Sequence, residues 1–92
     1  MSAFALSAEL TLDTATTVRR QALSALHAGS TPWVVDASAL QTFDSAGLAL
    51  LLELRRAAPQ QALQVRGVPK RLGDLARAYG LDFLLEPVTP QS

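Results

Sequence analysis

The sequence predicts one α/β domain built on a mostly parallel sheet with packed helices. Short runs rich in aromatic and β-branched residues alternate with longer stretches of helical periodicity, and the connections are only a few residues long. No internal repeat, low-complexity run or second domain interrupts the pattern. The chain's 92 residues suffice for one real core, and an apolar content of 49% suits a compact globule rather than a disordered chain. The expected domain spans residues 1–92, with its core at about 4–85 and a flexible polar tail at 86–92.

The elements follow in order. Phe4-Ala5-Leu6-Ser7-Ala8-Glu9-Leu10 alternates loosely and reads as one or two short strands. Asp13 and the threonines after it supply helix-start chemistry, so a helix is expected over about residues 14–27. Ala15, Val18, Ala22 and Leu26 share its inner face. Gly29 is placed to end that helix in a left-handed conformation, and Ser30-Thr31-Pro32 makes a turn. Trp33-Val34-Val35-Asp36-Ala37 is the clearest strand signal. A second helix is expected over about residues 46–58, with Pro59 stopping it. Leu63-Gln64-Val65-Arg66 alternates as a strand, and Pro69 opens a third helix with Leu72, Leu75, Ala76 and Tyr79 on one face. Gly80 suits its C-terminal cap, and Leu81-Asp82-Phe83-Leu84-Leu85 reads as a last edge strand.

Composition excludes several classes of function. Lys plus Arg equals Asp plus Glu, so no net field favours nucleic acid or an anionic membrane. With no cysteine there is no disulfide, no thiolate chemistry and no usual zinc site. The first residues lack a basic segment and a long apolar core, so they do not read as a signal peptide. The longest apolar run falls far short of the roughly 20 residues needed to span a bilayer. His27 is the only histidine; at a helix C-terminus it reads as a cap or dipole partner, not a base. The carboxylates show no metal-ligand spacing and the glycines form no phosphate-cradling loop. No enzyme, metal or cofactor is expected, and a cytoplasmic location is the default.

The distinctive stretch is Thr42-Phe43-Asp44-Ser45-Ala46-Gly47-Leu48, which opens the leucine-dense second helix. Asp and Ser are residue types that cap a helix N-terminus, so Ser45 reads first as a cap. Its second reading is a contact point, because Ala46 and Gly47 place no bulk over that end. A phosphate on Ser45 would meet the favourable end of the helix dipole, although Asp44 would oppose it. Leu48, Leu50, Leu51, Leu52 and Leu54 cover an arc of roughly 200°, wider than the little over 100° that packing on a sheet requires. The excess, mainly Leu50 and Leu54, either meets another part of the domain or forms a partner surface. Arg55 lies inside the arc, placed to snorkel or meet a carboxylate.

At Val34-Val35-Asp36-Ala37-Ser38-Ala39-Leu40, Phe43-Asp44-Ser45-Ala46-Gly47-Leu48 and Val65-Arg66-Gly67-Val68 the chain resembles the STAS family, named for sulfate transporters and anti-sigma factor antagonists. The likeness runs from Phe4 to about Leu85 and implies a small, mostly parallel or mixed sheet of four to five strands, with about three helices packed mainly on one face. The leucine-rich helix and Leu75-Ala76-Arg77-Ala78-Tyr79-Gly80-Leu81 most resemble MlaB-type proteins. That likeness implies a non-catalytic cytoplasmic subunit that binds and supports the ATPase of an ABC phospholipid transporter maintaining outer-membrane lipid asymmetry. It would lie at the inner membrane through that complex, without inserting. The implied partner site is Asp44, Ser45, Ala46, Gly47, Leu48, Leu50 and Leu54. Ser45 falls at the family's Ser/Thr position, which anti-sigma factor antagonists phosphorylate. Partner switching with an anti-sigma factor and a kinase is therefore the alternative. The antagonists often carry a second Ser or Thr where this chain has Ala46, which favours the transporter role.

Overall fold

Trp33-Val34-Val35-Asp36 forms the strand on which the sheet is centred. The computed structural model describes residues 2–85. Its elements are β1 (Ser2–Ala5), β2 (Glu9–Leu10), α1 (Leu12–His27), β3 (Trp33–Asp36), β4 (Thr42–Phe43), α2 (Ser45–Ala57), β5 (Leu63–Arg66) and α3 (Lys70–Ala78). Short 3-10 turns occupy Pro59–Gln61 and Asp82–Leu85. β3 lies between β1 and β5, while β2 and β4 make a separate two-stranded sheet. Every pairing is parallel. The sense follows from connectivity, because α1 carries the chain from β1 to β3 and α2 carries it from β3 to β5. The fold is thus the expected α/β domain, its five strands divided between two parallel sheets.

Register and side-chain alternation put the core on one face. Trp33 pairs with Leu63 and Val35 with Val65, so these four point the same way, and all are buried. They join Val18, Ala22 and Leu26 of α1, Leu48, Leu50, Leu51 and Leu54 of α2, and Leu72 and Ala76 of α3 in one cluster. The opposite face carries Ala3, Ala5, Asp36 and Arg66, all exposed, together with the half-buried Gln64 and the buried Val34. One-sided helix packing agrees with the family resemblance. Trp33 is core, and the exposed His27 at the end of α1 meets its ring edge-on at 4.8 Å.

Helix ends differ from expectation where capping differs. α1 begins two residues early because Thr11, with extended backbone, is the cap in place of Asp13. The Thr11 N–H donates to Thr14 Oγ1 at 2.9 Å. Asp13 instead sits in the first turn, where the helix dipole favours it. Gly29 does not take a left-handed conformation, since α1 closes on a right-handed Ala28. Gly80 does, at φ 72°. The Leu81 N–H donates to Ala76 O at 2.8 Å and the Gly80 N–H to Arg77 O at 3.0 Å, which closes α3 with two bonds.

That closure corrects the expected last strand. The chain leaves Gly80 turned back on itself, and Asp82–Leu85 forms a 3-10 turn against α2, α3 and β5. Leu84 is buried there, and the Arg55 guanidinium lies 5.1 Å from the centre of the Phe83 ring. Arg55 therefore stacks on an aromatic ring and meets no carboxylate among the described residues. The tail expected over 86–92 lies outside the described residues.

Candidate docking site at the start of the second helix

Asp44 organises the junction between the two longest helices. Its backbone is extended (φ −138°, ψ −167°), and its Oδ1 accepts from the Ala46 N–H at 2.9 Å. Its Oδ2 accepts from the Leu12 N–H at 3.3 Å, at the first residue of α1. One carboxylate therefore serves two helix N-termini, each of which presents donors without intrahelical partners. Asp44→Ala is expected to cost about 1–2 kcal/mol, read as a lower urea midpoint. Asp44→Asn should recover much of that loss, because Asn caps nearly as well. Equal losses in both variants would show that charge, not hydrogen-bond geometry, sets the effect.

Because Asp44 is the cap, Ser45 is the first helical residue and does not cap α2. It is exposed, and its hydroxyl has no hydrogen-bond partner among the described residues. Ala46 beside it is half-buried. The remaining residues of the expected partner surface are inside the domain. Gly47, Leu48, Leu50 and Leu54 are all buried. A Cβ at Gly47 would lie 3.3 Å from both Leu10 Cδ2 and Leu10 O, so the small residue admits β2 of the same domain. Leu50 and Leu54 belong to the core, and α2 is flanked by α1 and by the Asp82–Leu85 turn. The wide leucine arc is thus filled from within.

Ser45 opens onto a groove of about 620 Å³. Phe43, Asp44 and Ser45 form one wall, and Arg71, Asp74, Leu75 and Tyr79 of the α3 segment form the other. The Arg71 guanidinium lies 5.3 Å from the centre of the Phe43 ring, bridging the two. Asp74 is already engaged, by Lys70 Nζ at 3.1 Å and Arg77 Nη1 at 3.3 Å. The Lys70 contact, above all, holds its carboxyl below the usual carboxylate range. Arg71 has no carboxylate partner among the described residues. The family model described as "Mlab, STAS domain" matches residues 2–86 of this sequence, nearly the whole chain and the entire groove. The chain belongs to the STAS domain family. No curated protein matches it.

In this STAS domain the site is smaller and differently bounded than the sequence implied. Asp44, Ser45 and Ala46 stay at the surface or near it, while Arg71 and Tyr79 join them from α3. Tyr79, expected on the buried face of α3, is 58% exposed, because it caps the helix just past its last turn. Lys70 and Arg71 open α3 with no acidic residue in its first turn. Two cations at a helix N-terminus oppose its dipole, and that was the available signal. Among the described residues no three His, Cys, Asp or Glu side chains group together, and no helix is long and apolar enough to cross a membrane.

Proposed function

We propose that this chain is a non-catalytic STAS subunit that docks on the ATPase of an ABC phospholipid transporter and supports its assembly or activity. Such a subunit works in the cytoplasm, peripheral to the inner membrane, and contributes to outer-membrane lipid asymmetry. The observation that carries the proposal is Ser45: an exposed hydroxyl, without a partner among the described residues, at the open end of a long helix, beside a groove, while a neighbour does the capping. A hydroxyl there is available to donate to and accept from a docked protein. The family match and its description support the same direction.

The test is co-purification with the ABC ATPase of the native host, together with deletion of the gene. Solitary elution, with lipid transport and detergent resistance unchanged after deletion, would sink the proposal. Ser45→Glu is expected to weaken partner binding at least about tenfold, ~1.4 kcal/mol. Stability should change by less than about 1 kcal/mol, because an acidic side chain suits a helix start. An unfolded variant whose folded fraction bound normally would show that Ser45 is structural.

Exposure of the same hydroxyl favours a second reading, in which a kinase phosphorylates Ser45 to repel an anti-sigma partner. Intact mass after incubation with a cognate kinase separates the two. No added phosphate counts against the switch.

A further inference from the structure

We propose that the groove beside Ser45 receives an acidic side chain of the protein partner, with Arg71 as its counter-charge and Leu12 and Tyr79 as apolar flanks. This deepens the proposed function and rests on it.

The charge pattern comes first. Asp44 and Asp74 line the groove, but each carboxylate is already matched: Asp44 by two helix N-terminal N–H groups, Asp74 by Lys70 and Arg77. The unmatched charge is positive. Arg71 lines the groove, lies over Phe43, and has no ion pair among the described residues. α3 carries three cations and one carboxylate, and its N-cap residue Pro69 offers no side-chain acceptor. The first turn of α3 therefore stacks two cations on the positive end of a dipole. An arrangement unfavourable within the free domain is explained when a partner supplies the missing negative charge. The start of α2, pointing at the same groove, adds to that field.

Apolar exposure supplies the second element. Leu12, Tyr79 and Phe83 are the large hydrophobic side chains most exposed among the described residues, at 76%, 58% and 44%. Two of the three adjoin this site. Tyr79 lines the groove, and Leu12 is tied to the opposite side of Asp44 through its own backbone N–H. A small hydroxyl, an arginine and an exposed tyrosine lining one groove, with an exposed leucine bonded through its backbone to the same Asp44, match the composition of a protein–protein contact, in which aromatic and Arg side chains anchor binding.

Binding to the purified native-host ABC ATPase, measured at low and high salt, tests this. Wild-type affinity should fall as salt rises. Arg71→Glu should weaken binding by roughly tenfold or more, Arg71→Gln should weaken it less and flatten the salt dependence, and Arg71→Lys should retain most of it. Arg20→Glu makes the same charge change on an exposed position of α1 and should bind as wild type. Leu12→Ser should weaken binding at all salt concentrations, since its backbone bond to Asp44 survives the change. In the Arg71→Lys protein, carbodiimide coupling should join position 71 to an Asp or Glu of the ATPase, identified by mass spectrometry. Thermal melts confirm that each variant is folded, as expected for exposed positions. Wild type that fails to bind removes the proposed function and this inference with it. Wild type that binds while Arg71→Glu binds equally well, or Arg20→Glu loses as much, removes this inference alone.

Discussion

Leu54→Ala is expected to lower the unfolding free energy by about 2–5 kcal/mol without altering how the remaining folded protein binds its partner. Leu54 is 0% exposed and Leu50 1% exposed, both within the cluster that joins the three helices to the sheet. Truncation there removes methyl groups from a packed environment and leaves a cavity that the neighbours cannot close. For a domain whose total stability is of the order of 5–15 kcal/mol, that loss is large. Urea unfolding of the purified variant measures it. The partner-binding result matters as much, because it separates an interior leucine from an interfacial one. A loss below about 1 kcal/mol combined with weaker binding would return Leu54 to the surface.

Leu54 also shows where the sequence was readable. Trp33–Asp36 and Leu63–Arg66 were legible as strands because their local chemistry, aromatic and β-branched or strictly alternating, agrees with their burial. Pro59 marked the end of α2 and Gly80 the end of α3 for equally local reasons. The extra width of the α2 leucine arc was legible too, but its cause was not. A five-residue stretch such as 81–85, apolar but for Asp82, has no periodicity that separates a strand from a turn. Gln60 and Gln61 adopt φ near 57° and 56° in the Pro59–Gln61 turn, with no glycine or asparagine to announce it. The site itself was half visible. Asp44 and Ser45 carry helix-start chemistry, but only the packing of α3 against this end brings Arg71 and Tyr79 beside them. The extended backbone at Asp44 makes it the cap of α2 and leaves Ser45 as the first helical residue.

The second large effect lies on the far side of the motif, where β3 and β5 end. Gly67→Ala is expected to destabilise the domain by about 2–4 kcal/mol, the sum of a backbone cost and a steric one. Gly67 has φ +67°, and a Cβ built on it would lie 2.7 Å from Ser38 Cβ, 3.0 Å from Ser38 N and 3.1 Å from Asp36 Oδ1. Those last two atoms are themselves a hydrogen-bonded pair at 2.9 Å, the bond that holds the Asp36 carboxyl below its usual value. A methyl group at position 67 therefore pushes into the bend through which β3 leads toward Ser45. Gly80 provides the internal control. Its φ is +72°, but a Cβ there meets nothing within 4 Å, so Gly80→Ala should cost only the backbone part, about 1–2 kcal/mol. Combining Gly67→Ala with Ser38→Gly removes the closest contact and should recover part of the steric cost, a coupling that a double-mutant cycle in urea reads directly. If Gly67→Ala and Gly80→Ala cost the same, and Ser38→Gly restores nothing, Gly67 serves only the backbone turn and the bend before Ser45 tolerates more bulk than its close approach implies.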